Sequence, residues 1–388
     1  MEYGKEANKL CTKQTRSEKA YKIVFQEGAI SRLDEHTYQV RSQSGNGSYV
    51  VVSTEFGWKC SCADHQYRRV TCKHIIAITY SQHLRREVQE AAKTVIAAVD
   101  TLACKFCKSI KVVKDSLRHN KYGNIQRYLC KVCRKTFSFN IGFEGMRASP
   151  QIITTAMQLY FSGESLRNVQ RFVKLQGLQI SHVTIYKWIG KYVKLMQDYL
   201  EKITPQVSDT WRTDELFLKI KGDTKYLYAL MDDETRFWIA QQVADSKFTQ
   251  DVRPLFKKGK EVAGKKPMTL ISDGAFNFQE AYQRELYSHT LPRTRHIRHI
   301  HLEGDHNNNK MERLNGEIRD REKVMRGLKR MDTPILTGYQ MYHNYFREHE
   351  GLVGKTPAEV AGIKIEGKNK WMTVIQNATI LSRGKIVS

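Results

Sequence analysis

Seven of the eight cysteines fall into two short stretches, and this grouping constrains the fold more than any other feature of the chain. In WKCSCADHQYRRVTCKHI, nine residues separate the pair Cys60-x-Cys62 from the pair Cys72-x-His74. Further on, 22 residues separate Cys104-x-x-Cys107 from Cys130-x-x-Cys133. Two close pairs of thiolate or imidazole donors can each grip one side of a single ion and close a tetrahedral Zn²⁺ shell with no open position. Such a site is structural, and it holds together a module too small to fold on an apolar core alone. A redox pair would not require the second Cys-x-x-Cys, and reducing compartments disfavour disulfides between such neighbours. The expectation is two structural Zn²⁺ sites, one of Cys60, Cys62, Cys72 and His74 and one of Cys104, Cys107, Cys130 and Cys133. His65 and His83 are not expected to be ligands, and Cys11 is left without a role.

The remainder of the chain is large enough to build its own cores. Its 388 residues suggest two or three, with the metal-held modules added. Hydrophobic residues make up 40%, so the charge decorates folded domains. That charge is +24, from 64 Lys and Arg against 40 Asp and Glu, and it would attract a polyanion through phosphate contacts. An anionic membrane is disfavoured because no run of about 18 apolar residues occurs and MEYGKEANKLCTKQTRSEK lacks a signal peptide's apolar stretch. The expectation is a cytoplasmic, DNA-associated protein of prokaryotic type.

Alternation in YKIVF, YQVRS and SYVVVS, with SGNG as a turn, reads as a small β-sheet over residues 21–58. Residues 1–83 then form a β module with the first zinc site, residues 84–100 (LRREVQEAAKTVIAAV and its flanks) a linker helix, and residues 101–145 the second zinc module. After Pro150 the period becomes helical, in IITTAMQLYF, SLRNVQRFVKL and SHVTIYKWIGKYVKLMQDYL, broken at Gly163 and Gly177. These three helices, residues 150–203, suggest a helix-turn-helix domain. Ser181 is the expected N-cap of the last, with Val183, Ile185, Ile189, Val193 and Leu195 as its apolar positions. His182, Thr184, Lys187 and Lys191, with Lys194, would face DNA, because the second helix of such a motif enters the major groove. A three-helix packing unit without DNA contacts fits the same pattern.

From Thr210 the strand-like segments TWRTDELFLKIKG, KYLYALMDD and FWIAQQVA are followed by a helix near Asp251–Lys258 and the strand MTLISDG, a β-β-β-α-β order. Asp232 and Asp233 read as the turn between two of these strands. Phosphoryl transfer on DNA needs two divalent ions about 4 Å apart, held by hard oxygen ligands. Asp214 within the first strand, Asp273 ending TLISDG and Glu312 on the helix of HNNNKMERLNGEIRDREKVMRG form a suitable set. Fifty-eight residues separate the first two and 38 the second two, so no large insertion divides the core. Glu317, on the same helix, is the alternative third acid.

These motifs resemble known families. Cys60-x-Cys62 through His74 with the following HIIAI is similar to the SWIM zinc finger. The second cluster, in YLCKVCRKTFSF, resembles the four-cysteine zinc ribbon of insertion-sequence transposases. The T-D-E of the first strand, the S-D-G, N-x-x-E-R-x-N-G-x-x-R-x-R with K-x-x-R-G, and the closing NYFREHEGLVGKTPAEVAG resemble the DDE transposase catalytic domain. The resemblance covers residues 100–362; a SWIM-like front end is less usual there. It implies a multidomain α/β protein with an RNase H-like mixed-sheet catalytic core over residues 208–362 and a C-terminal tail over residues 363–388. It implies that Asp214, Asp273 and Glu312 bind two Mg²⁺ or Mn²⁺ ions while Lys310 and Arg313 flank the phosphate. The implied chemistry is hydrolysis at the element end, then direct attack of the freed 3′-hydroxyl on double-stranded target DNA, carried out by a homodimer or higher homo-oligomer. The basic stretch from Arg293 to Lys310 is expected to face DNA, which accounts for its histidines more simply than a metal site does. The competing readings are a domesticated DNA-binding regulator and an RNase H-fold nuclease that cleaves without joining.

Overall fold

A computed structural model describes residues 15–26, 28–33, 36–43, 45, 47–91, 94–99, 103–120, 123–289, 293–298, 309–325, 328, 330–331 and 333–384. Cys11 and residues 299–308 of the basic stretch lie outside the described residues.

The N-terminal module opens with helix α1 (Arg16–Val24). YKIVF therefore does not form the strand its alternation suggested. Thr15 and Glu18 make a reciprocal capping box, and Ala20 and Ile23, three residues apart, bury one face on helix α3. A four-stranded antiparallel sheet follows, from β1 (Ile30–Arg32), β2 (Thr37–Arg41), β3 (Ser48–Thr54) and β4 (Gly57–Cys60), in that spatial order. Helices α2 (Ala63–Arg68) and α3 (Lys73–Ala91) close the module. The expected linker helix is thus the end of a longer one, and it stops before the β-branched run Thr94-Val95-Ile96. That run forms β5 (Thr94–Ile96) and pairs in parallel with a strand from the far end of the chain.

The second module is a three-stranded antiparallel sheet, β6 (Val112–Asn120), β7 (Gly123–Cys130) and β8 (Thr136–Phe137). Three helices follow: α4 (Pro150–Ser162), α5 (Leu166–Leu175) and α6 (His182–Leu200). Each begins on a serine, Ser149, Ser165 or Ser181, whose hydroxyl accepts a backbone N–H of the first turn. Helix α6 buries Ile185, Trp188, Ile189, Tyr192, Val193, Met196 and Leu200. Val183, expected among its apolar positions, is 49% exposed, because the 3.6-residue period from Ile185 carries the buried stripe away from it.

After the three helices comes a mixed five-stranded sheet. Strands β9 (Thr210–Ile220), β10 (Asp223–Asp232) and β11 (Trp238–Ala244) run antiparallel, and Asp233 lies in the β10–β11 turn. After helix α7 (Thr249–Ala263), β12 (Thr269–Ser272) lies parallel to β9. Helix α8 (Phe276–Glu285) leads to the edge strand β13 (Arg295–Arg298), and α9 (Asn309–Met325) packs on β9. The order β11-β10-β9-β12-β13 agrees with the expected RNase H-like core. Gly259 lets α7 lie on the sheet, since a Cβ there would stand 2.5 Å from Leu230 Cδ2.

The chain ends with α10 (Pro334–Met341), a π-helical turn Tyr342–Phe346, the short α11 (Pro357–Val360), β14 (Ile363–Ile365) and α12 (Lys370–Gly384). Most of the segment expected to be a tail is therefore folded. β14 pairs with β5, and α12 packs on α4 and α6, with Trp371 stacked on Phe346 at 3.6 Å between ring centroids. One hydrophobic core includes Ile96 and residues from Phe143 to Ile375, so the three-helix unit and the five-stranded sheet share an interior.

Candidate active site and zinc centres

Cys60 ends β4, Cys62 caps α2, and Cys72 and His74 bracket the start of α3, so local structure alone converges the four donors. Their ligand atoms lie within 4.8 Å of one another, and all four residues are buried. The Sγ atoms of Cys60 and Cys72 stand 3.8 and 3.9 Å from His74 Nδ1. In the second module Cys104 and Cys133 are 3.6 Å apart, and Cys107 and Cys130 3.5 Å. Zn–S bonds of about 2.3 Å at a tetrahedral centre call for edges of about 3.8 Å, so both sets fit zinc. The Cys60 thiol beside Cys72 holds the latter down to about 3. Burial opposes ionisation of Cys104, but backbone N–H groups of Cys107 and Phe106 and the Cys133 thiol bring it down to about 6. Within each cluster one thiol is held low while a neighbour, Cys60 or Cys133, is raised. His65 turns to the carbonyl of Val70 at 2.9 Å, away from the first cluster.

In the five-stranded sheet, β9 and β12 are adjacent and parallel, with Ile271 beside Arg212. Asp273 directly follows the last residue of β12, at the end where β9 carries Asp214, and the two carboxylates are near enough to repel each other. Burial pushes Asp214 up to about 6; the Glu215 backbone N–H and the Asn315 side chain oppose this, while Asp273 and Glu215 add to it. Asn315 Nδ2 donates to Asp214 Oδ2 at 2.7 Å. Asp273 is exposed, and its Oδ1 accepts the Ala275 N–H at 3.0 Å where the chain turns into α8. Two facing carboxylates with amide rather than cationic neighbours suit a hard divalent ion, which would relieve their repulsion.

Glu312 is exposed on the first turn of α9, one helical turn before Asn315. Among the described residues it makes no bond to either aspartate. Glu317, the alternative acid, is ion-paired with Arg347 and lies 3.9 Å from His343 Nδ1. Arg313 is exposed on the same helix. Lys310 is drawn inward: its Nζ donates to the carbonyl and carboxylate of Asp233 at 2.8 and 3.0 Å. Asp233 is fully buried and also receives Arg212, and Arg32 of β1 lies 3.5 Å away. Despite burial, Lys310, Arg212 and Arg32 hold its carboxyl well below the usual range.

Three features here escaped the sequence reading. Asn315 lies inside the quoted N-x-x-E-R-x-N motif, so its signal was present. Arg32 and the Glu215–Lys247 pair join segments 201 and 32 residues apart, and nothing local marks them. On α6, Lys187 and Lys191 are exposed, His182 and Thr184 are half-buried, and Thr184 Oγ1 is engaged with Ser181 Oγ at 2.9 Å. In β13, His296 is held between Ser272 Oγ at 2.9 Å and Gln279 Oε1 at 2.6 Å. Burial, with Arg298 beside it, pushes that imidazole down to about 4, so it is neutral.

The sheet order, the neighbouring aspartates and the cysteine clusters place an acid-bearing mixed sheet behind a front end with two sets of zinc-type donors. Residues 208–349 match the DDE domain family model, and residues 49–83 match the SWIM zinc finger. The chain is 26% identical over 137 residues to the transposase for insertion sequence-like element IS431mec of Staphylococcus aureus. The same figures hold for the transposase for insertion sequence element IS257 in transposon Tn4003 of that organism. The match covers 34% of this chain and 59% of each relative's length. Among solved structures, the HTLV-2 integrase catalytic core domain in complex with magnesium aligns with a TM-score of 0.29 at 18% identity, covering 41% of this chain and 98% of that one. No described helix is long and apolar enough to cross a membrane.

Proposed function

We propose that this protein is a DNA transposase that recognises the ends of its mobile element, cleaves there and joins the freed 3′ end to double-stranded target DNA. The observation that carries the reading is the nearness of Asp214, on β9, to Asp273, just past the end of the adjacent parallel strand β12, with α9 bonded to Asp214 through Asn315. In this reading Asp214, Asp273 and Glu312 hold Mg²⁺ or Mn²⁺. The ions would supply activation of the attacking oxygen and stabilisation of the leaving oxygen. Asn315 fixes the orientation of the Asp214 carboxylate, and Asp273, exposed at the strand end, faces the scissile phosphate. Arg313, on the exposed side of α9, neutralises phosphate charge. Helix α6 presents His182, Thr184, Lys187 and Lys191 to the element end. The protein acts in the cytoplasm of a prokaryotic cell, on the nucleoid, as a homodimer or higher homo-oligomer that brings two ends together.

The test is a strand-transfer assay with purified protein, Mg²⁺ or Mn²⁺ and labelled DNA carrying the ends of the encoding element. Joined products that require metal and vanish in Asp273→Ala and Glu312→Ala are expected. End binding without cleavage, or cleavage without joining, would overturn the reading.

A further inference from the structure

Between the N-terminal module and the edge of the catalytic sheet lies an open groove of about 890 Å³. Arg41, the last residue of β2, lines one side; Arg293, Arg295 and Arg298, from β13 and the turn before it, line the other. All four arginines are exposed, and no Asp or Glu is among the described residues lining the groove. The two sides are held in a common frame. Arg41 N–H donates to the carbonyl of Ala29 at 2.8 Å, and Gly28 abuts Met268, where a Cβ would stand 2.9 Å from Cε. Met268 in turn accepts the N–H of Arg295 at 2.8 Å. One wall of the groove is bonded to the strand end next to the acids, since His296 in that wall bonds Ser272, the neighbour of Asp273.

We propose that this groove holds the phosphodiester backbone of duplex DNA beside the active site, and that the zinc-bearing N-terminal module is one jaw of a DNA clamp. The inference rests on the reading of the chain as a DNA-processing enzyme and adds a role for its front end. Guanidinium groups suit phosphate because their planar fork can donate two hydrogen bonds to it. Four of them on facing walls, with no carboxylate among the described lining residues, form a track for a polyanion. Tyr282 and Tyr287 give the groove flat apolar surface, and Arg293 lies 5.3 Å over the Tyr287 ring, which holds it along the wall.

The experiment is equilibrium binding of a labelled mixed-sequence DNA duplex to the full chain across a salt series, without divalent metal. Wild type is compared with Arg41→Ala, Arg298→Ala, the double variant and Arg41→Lys. Each phosphate contact contributes about 0.9 to the slope of log affinity against log salt. Each alanine variant is therefore expected to lose about that much slope, and over a fourfold rise in salt its binding should weaken about 3.5-fold less than wild type's. The double variant should lose about twice as much, and Arg41→Lys should keep the wild-type slope. Should Arg41→Ala melt early, Arg41→Gln, which keeps the side-chain stem, gives the same comparison. Wild-type slope and affinity in a folded Arg41 variant would overturn the proposal, as would loss confined to an RNA duplex. The readout needs no catalysis: strand transfer absent with these slope changes present would sink the transposase reading and leave the clamp standing.

Discussion

The Asp214 carboxylate is held above its ordinary range chiefly because folding withdraws it from water and sets Asp273 beside it. The sign of the consequence follows from proton linkage. Between the unfolded pKa near 4 and the folded value of about 6, the native state binds more protons, so stability falls as pH rises through that window. Above about pH 6 the full cost is present, on the order of 2–3 kcal/mol. Asp214→Asn should therefore raise the thermal midpoint at neutral pH, and the gain should vanish below about pH 4. A divalent ion offsets the same cost in wild type. Added Mg²⁺ or Mn²⁺ should raise the midpoint of wild type at neutral pH and leave that of Asp214→Asn nearly unmoved. A wild-type midpoint indifferent to both ions would contradict a metal role for this carboxylate. Asp214 and Asp273 could be found from sequence because each sits in a short strand motif. Their nearness could not, since it depends on the β9–β12 register.

At the level of elements, the second zinc module shows how little apolar substance a domain can have. Among the described residues its buried hydrophobic cluster consists of Cys104, Cys130 and Phe137, with Val112, Tyr128, Cys133 and Phe139 packed against it. A cluster of that size cannot offset the ordering of residues 104–137, so the metal must supply most of the folding energy. In Cys130→Ser, zinc content should fall from two ions per chain to one, and amide exchange should accelerate over 104–137. Strands β9 to β11, in a separate core, should exchange as in wild type. Unchanged zinc stoichiometry by metal analysis would refute the assignment. Elements of this kind are plain in sequence because ligand spacing is local. The elements misread were those decided at a distance. α1 has a local start signal in its Thr15–Glu18 capping box, but its buried face is set by α3, and Thr94–Ile96 is a strand because Ile363–Ile365 supplies its partner. Residues 363–384 look like a tail until the surface on α4 and α6 that receives α12 is known.

At the scale of the whole molecule, the N-terminal module and the five-stranded sheet meet through polar groups rather than a shared apolar core. Thr210 Oγ1 donates to the Arg32 carbonyl at 3.0 Å, and Arg212 Nη2 to that of Leu33 at 3.3 Å. Arg32 lies 3.5 Å from Asp233 and 3.7 Å from Glu234. Asp233 thereby ties three parts together: β9, which carries Asp214, through Arg212; α9, which carries Glu312, through Lys310; and the zinc-bearing module through Arg32. Removing its charge strands three cations, two of them deeply buried, so Asp233→Asn should cost about 3–5 kcal/mol. Arg32→Ala leaves Asp233 two cationic partners and should cost less. A double-mutant cycle of the two, read by denaturant unfolding, separates docking from general damage. If the module sits against the sheet in solution, the double variant should recover part of the summed loss, with a coupling of about 0.5–3 kcal/mol. Strict additivity would mean that Arg32 does not reach Asp233 and that the modules move independently. In that case Arg41 could not be held opposite β13, and the two jaws of the groove would lose their fixed spacing.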